Sequence, residues 1–238
     1  MTEGETRQSK PRPVHPRDAA SLILLDGIGK KNPRILLGKR HAALKFMPGK
    51  FVFPGGRLEP CDRRMNIAGP LDSRVETRLL KGRAGAGPTF ARALALAAIR
   101  ETFEETGHVV GSGEFGGPER PPPAWRTYAA HKCLPDLQDL HFIARAITPP
   151  SRPKRFDTRF FALDARAVTA RLEGFAHADA ELVQLAWVRF DEAEKLDLPD
   201  VTRQVLAELR GRLKAGMSHY LPTPFYYQIR GKWRREEL

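Results

Sequence analysis

Arg100-Glu101-Thr102-Phe103-Glu104-Glu105-Thr106-Gly107 gathers three carboxylates within two helical turns. At 3.6 residues per turn, Glu101, Glu104 and Glu105 stand at i, i+3 and i+4 and project from one side, opposite Phe103. Like charges at i, i+4 cost an isolated helix about 0.2–0.5 kcal/mol per pair, and the last turn of a helix favours cations over anions. A helix that keeps both penalties is predicted to hold a cation between its carboxylates. Hard oxygen ligands favour Mg²⁺, which retains waters and is commonly completed by substrate phosphates; Mn²⁺ is the expected substitute. Arg100 is placed to pair with Glu104 one turn on. By themselves three glutamates are better read as a solvated acidic face, and the residues upstream are what overturn that reading.

Upstream, directly after the apolar Phe51-Val52-Phe53, lies Gly55-Gly56-Arg57-Leu58-Glu59-Pro60-Cys61-Asp62. Together with the helix these residues resemble the Nudix box, in which Gly, five residues, Glu and seven residues lead to Arg-Glu-apolar-x-Glu-Glu-x-Gly. Five residues separate Gly56 from Asp62, an Asp where the family usually has Glu, and an insertion of roughly thirty residues then breaks the box before Arg100. Thr102 and His108 occupy positions that are normally apolar, which bears on packing more than on chemistry. The resemblance implies an α/β fold, a mixed sheet sandwiched between helices (α/β/α). It implies Glu101 and Glu105 as principal metal ligands, Glu104 as a ligand directly or through water, and the Gly55 carbonyl completing the site. Arg100 would orient the carboxylates. The family's general base varies in position; Glu101 is one candidate and Glu181 another, although Glu181 reads equally well as a surface residue.

A box interrupted in this way is similar to that of the CoA-diphosphatase branch of the family. Arg155-Phe156-Asp157-Thr158-Arg159-Phe160-Phe161, after Ile147-Thr148-Pro149-Pro150, looks like a segment of that branch. Leu36-Leu37-Gly38-Lys39-Arg40, followed by Gly49 and Phe53-Pro54-Gly55-Gly56, matches its CoA-associated pattern in part. The resemblance implies metal-dependent hydrolysis of the diphosphate of CoA or an acyl-CoA. Two alternatives stay open: a Nudix pyrophosphatase for another nucleoside-diphosphate compound such as ADP-ribose or a dinucleotide, and a non-catalytic module that binds a nucleotide or RNA. Retention of the costly glutamate cluster argues against the last. Arg40, Arg57, Arg155 and Arg159 are candidate phosphate partners, because a guanidinium matches phosphate oxygens as a fork. Each reads as readily as structural, and Arg159, alternating with Phe160, is as easily placed facing solvent.

The elements that must position these groups are legible in outline. Ala19 to Leu25, Arg34 to Leu37, Phe51 to Phe53, Leu140 to Ile147, Arg159 to Leu163 and Leu182 to Val188 are predicted strands. Residues 26–33 have hairpin-loop chemistry. Phe90 to Thr106 is the clearest helix, with Leu96, Ile99 and Phe103 on one face and Gly107 ending it; Val201 to Leu213 is a second, amphipathic one. A polar, Pro-containing tail over residues 1–17 is expected to be disordered. The resemblance implies a Nudix domain over 18–215 with the insertion at about 60–90, leaving 216–238 as a C-terminal extension. Within that extension the run Pro222 to Tyr227 either covers an apolar groove or supports a homodimer.

Composition excludes other classes. A chain of 238 residues with 41% hydrophobic and 29% charged residues is ordinary for a globular protein. No apolar run approaches a membrane span, and no signal core precedes the first strand, so a cytoplasmic location is expected. Cys61 and Cys133 read as free thiols. Forty Lys and Arg against 28 Asp and Glu leave a net charge of +12, which attracts polyanions. The basic residues are scattered without interleaved aromatics, so a small nucleotide-like diphosphate is a better partner than nucleic acid. Gly111-Ser112-Gly113-Glu114-Phe115-Gly116 matches a dinucleotide fingerprint in letters only, because prolines rather than a helix follow it.

Overall fold

The computed structural model describes residues 14–238. Most of the expected tail therefore lies outside the described residues, and Arg17, its last residue, already opens strand β1 (Arg17–Asp26). The chain continues through β2 (Arg34–Arg40), β3 (Phe51–Val52), β4 (Gly55–Arg57), α1 (Ser73–Leu80), α2 (Pro88–Thr106) and β5 (His108–Val110). It then forms α3 (Arg126–Ala129), β6 (His141–Ile147), β7 (Phe156–Asp164), β8 (Val168–Arg171), β9 (Leu182–Arg189), α4 (Phe190–Ala193), α5 (Asp200–Lys214), β10 (Pro224–Ile229) and β11 (Lys232–Glu237).

Nine strands make one mixed sheet in the order β11-β10-β6-β7-β1-β2-β3, with β4 also on β1 and β9 also on β2. Pairings β1–β7 and β6–β10 are parallel and the rest antiparallel; β5 and β8 form a separate pair. Successive strand residues point to opposite faces. Leu22 and Leu24 accordingly join the core under α2, while Ile23 and Leu25 join the core under α4 and α5. Both faces are covered, which is why Leu22 to Leu25 form an unbroken apolar run. The expected α/β/α sandwich is the observed one. Among the described residues no helix is long and apolar enough to cross a membrane.

Helix α2 departs from the single apolar face expected of it. Its buried set runs through Phe90, Ala91, Ala93 to Arg100, Thr102, Phe103 and Thr106, so it is covered nearly all round. Two segments wrap its outer side: the insertion, through Met65, Val75 and Leu79, and the stretch after β5, through Trp125, Tyr128 and Leu137. The alanines let both approach closely. Thr102 is tolerated at a buried position because its hydroxyl donates to Ala98 O at 2.8 Å within the helix. The Pro222 to Tyr227 run, which the sequence left between groove cover and dimer contact, supplies β10, paired with β6 at Phe225↔Arg145 and Tyr226↔Ala146.

Arg159, read as free to face solvent, is fully buried. It lies on the α2 side of β7, beneath Phe90, and donates to Asp18 Oδ1 and to Asp157 O, each at 2.7 Å. Arg145 forks onto Asp157 at 2.8 and 2.7 Å and reaches Lys81 O at 3.1 Å, while Arg83 meets Asp18 at 2.6 Å. This buried network ties the insertion to the sheet. Removing one partner from a buried ion pair costs about 3–5 kcal/mol, whereas exposed pairs are worth less than about 1 kcal/mol. Asp157→Ala is therefore expected to lower unfolding free energy in urea several-fold more than Arg34→Ala at the exposed pair with Asp26; equal losses would mean the network adds no stability.

Candidate active site

The C-terminus of α2 meets the turn into β4. Gly107 closes the helix in the left-handed region (φ 71°), its N–H donating to Phe103 O at 2.8 Å. Strand β4 lies antiparallel to Ala19–Ser21 of β1, and its two glycines are required on steric grounds. A Cβ on Gly55 would sit 2.5 Å from Ala20 O, and one on Gly56 would sit 2.3–2.5 Å from the Glu101 carboxylate. Only a backbone without side chains fits between β1 and the acidic end of α2. The Gly55 N–H donates to Glu105 Oε2 at 2.9 Å.

Arg100 organises the cluster and is itself almost wholly buried. Its Nε and Nη2 donate to the two Asp62 oxygens at 2.8 and 3.1 Å, and Nη2 also reaches Arg57 O at 2.9 Å. Nη1 donates to Glu101 Oε1 at 2.9 Å and Glu104 Oε2 at 3.0 Å. These contacts occupy all five N–H donors of the guanidinium. Asp62, which no solvent reaches, also accepts from Glu59 N at 2.8 Å and from the Trp125 indole at 3.0 Å. The insertion thus loops out and returns Asp62 to Arg100, 38 positions away, where the uninterrupted box would have it.

Burial raises the proton affinity of all three glutamates. Glu101 is pushed up to about 7; Arg100 works against the shift, and the charges of Glu104 and Glu181 add to it. Glu104 is raised by burial with Arg100 again opposing. Glu105 is held well above the ordinary range by burial, despite the Gly55 N–H, with Glu181 and Glu101 contributing. Burial by itself would lower Arg100, yet hydrogen bonding to Asp62 and the charges of Glu101, Asp62 and Glu104 hold it above its usual value.

The other predicted residues divide. Glu181, just before β9, pairs with Arg40 at 2.9 Å, and its charge is felt at both Glu101 and Glu105. Arg40 also donates to Phe46 O at 3.0 Å. The fold brings these two together at one end of the β2–β9 pairing, where Arg40 lies opposite Leu182. Arg57 is exposed, 3.7 Å from Glu59, with its carbonyl on Arg100. Arg155 and Arg159 do not join the site. Arg155 donates to Thr148 O at 3.0 Å and Val14 O at 2.8 Å, and Arg159 is enclosed in the network described above, so neither is brought to the glutamate cluster. Among the described residues no three acidic, histidine or cysteine side chains are grouped closely enough to hold a metal ion by themselves. Asp62 was marked by its spacing from Gly56; Trp125 carried no signal beyond being apolar and large.

No family-level sequence profile matches the chain. It is 29% identical to the human acyl-coenzyme A diphosphatase NUDT19 over 285 aligned positions, covering 93% of this chain and 69% of that protein. The crystal structure of a NUDIX hydrolase from Alicyclobacillus acidocaldarius superposes with a TM-score of 0.62 at 27% identity, over 87% of this chain and 96% of the other. The structural match agrees with the α/β/α fold.

The glutamate cluster has a consequence for stability. Folded Glu101 keeps its proton to about pH 7, whereas the ordinary value is 4.5. Between those values the folded chain binds more protons, so this contribution is full below the window and lost as pH rises through it. His141, pressed down to about 4 by burial, acts in the opposite sense below its ordinary 6.5, so the informative quantity is a difference. In chelator, the melting temperature of Glu101→Gln relative to wild type is expected to rise from about pH 5 to about pH 8. Parallel profiles would show that Glu101 takes up no proton on folding.

Proposed function

We propose that this chain, a diphosphatase of the Nudix hydrolase superfamily, hydrolyses the diphosphate linkage of CoA or an acyl-CoA. One observation carries the catalytic half of this reading. The interrupted box is reassembled in space, with Asp62 on Arg100, Glu101 and Glu105 set against the Gly55-Gly56 turn, and Glu104 held by Arg100. The substrate half is supported by the likeness to an acyl-coenzyme A diphosphatase.

The donor set suits a hard divalent cation. Three carboxylates of raised proton affinity, two of them against a side-chain-free turn and the third open to solvent, are chemically matched to Mg²⁺ or to Mn²⁺ in its place. Glu101, Glu104 and Glu105 with the Gly55 carbonyl would hold it, water and substrate phosphate oxygens supplying what a closed cage would. When bound, the ion neutralises diphosphate oxygens and lowers the pKa of water. Arg100 keeps Glu101 and Glu104 at fixed separation and balances their charge once they are ionised. Glu181, partly exposed and oriented by Arg40, is placed to accept the proton of an attacking water; Glu101 is the other candidate. Arg57 at the rim is free to meet a phosphate.

A Mg²⁺-dependent hydrolysis screen over CoA, acyl-CoAs, ADP-ribose, NADH and capped RNA, read by product mass, tests this. CoA is expected to yield 3′-phosphoadenosine phosphate and a phosphopantetheine product. Glu105→Gln is expected to lower the rate at least about 100-fold, as loss of a transition-state charge stabiliser does. Cleavage of ADP-ribose with CoA untouched would reassign the substrate, and wild type as inert as Glu105→Gln on every compound would remove the hydrolase reading.

A further inference from the structure

We infer that Trp125 is a positioning residue for the carboxylate cluster, acting through Asp62 and Arg100. The inference deepens the proposed function and rests on its reading of Glu101 and Glu104 as ligands. It begins with an accounting of Asp62. An ionised carboxylate offers about four acceptor sites, and four nitrogen donors meet those of Asp62: Glu59 N, Arg100 Nε, Arg100 Nη2 and Trp125 Nε1, with the Cys61 thiol at 3.9 Å a weak fifth contact. Arg100 moves with whatever holds Asp62, so the strong donors that locate Asp62 independently are the Glu59 backbone and the indole; a thiol such as that of Cys61 is a weak donor.

The indole is a fixed donor. Trp125 is fully buried at the end of a short 3-10 turn and meets Tyr128 edge-on, ring centroids 5.1 Å apart. Tyr128 in turn meets Phe103 of α2 edge-on at 5.5 Å and donates to Val110 O at 2.6 Å. The ring is therefore referenced to the same helix that carries Glu101 and Glu104. The shortness of Asp62 gives this a purpose. Asp is one methylene shorter than Glu, so its carboxylate has less reach toward Arg100, and the indole N–H helps to fix it where the guanidinium can use both oxygens. A buried Trp needs some partner for its N–H; this one uses the carboxylate on which the orientation of Arg100 depends.

Trp125→Phe removes the N–H and keeps an aromatic ring in the stack. Four readouts apply. In chelator, the Arg100 Nε–H resonance in ¹⁵N–¹H spectra is expected to shift or broaden. The Mg²⁺ concentration for half-maximal thermal stabilisation is expected to rise about tenfold, the lower end for loss of a group supporting metal ligands. For CoA hydrolysis kcat should fall about tenfold with KM unchanged. The double variant Asp62→Glu/Trp125→Phe, whose longer carboxylate reaches Arg100 unaided, should recover the Mg²⁺ midpoint and kcat. A folded Trp125→Phe with an unshifted Arg100 resonance and a wild-type Mg²⁺ midpoint would overturn the inference. Should that variant not fold, the wild-type indole N–H resonances decide: Mg²⁺ should move that of Trp125 and leave Trp233 in place, and an unmoved Trp125 overturns it. If wild type hydrolyses nothing, the proposed function fails while the Arg100 resonance still decides the role of Trp125.

Discussion

The buried contact between Arg100 and Asp62 is the constraint on which the rest of this structure depends. A guanidinium inside a protein is tolerable only when its donors are met and its charge is balanced. Here one oxygen pair comes from Asp62, one carbonyl from Arg57 and two carboxylates from Arg100's own helix. Each partner arrives from a different place in the chain: the turn after β4, β4 itself, and α2. To satisfy a single side chain, the fold must bring the turn and the helix end together.

Several features follow from that requirement. Gly55 and Gly56 lack side chains because β4 is pressed between β1 and the glutamates that Arg100 gathers. The insertion must leave after Asp62 and return at Pro88 without disturbing the pair, so it is anchored at its far side by Arg83 on Asp18 and Arg145 on Lys81 O. The segment after β5 closes over the outer side of α2 and contributes the Trp125 indole. The result is a helix enclosed on nearly all sides whose last turn carries three carboxylates of unusually high proton affinity. That is poor economy for a surface helix, and it is the arrangement on which the proposed cation site rests.

Part of this was legible beforehand. The strand pattern of β1, the hairpin into β2, the end of α2 at Gly107 and the β9 and α5 segments followed from periodicity and turn chemistry, because those are local properties. The glutamate triplet and the Gly55-Gly56-to-Asp62 spacing marked the site for the same reason. Strands β4, β5, β8, β10 and β11 were not anticipated, being short, polar or dependent on a distant partner for their hydrogen bonds. Arg159 misled because alternation in a strand says which residues share a face, and says nothing of what covers that face.

The sequence by itself marked the candidates for the chemistry by type, spacing and resemblance: the carboxylates, the arginine that precedes them on the helix and the two glycines. Only the tertiary structure decided that Asp62 reaches Arg100 across the insertion, that Trp125 completes it, that Arg40 and Glu181 stand at the site, and that Arg155 and Arg159 are committed elsewhere. The physical reason is that a charged side chain's role is set by the partners available where it is buried. Those partners come from segments whose separation in sequence carries no record of their proximity in space.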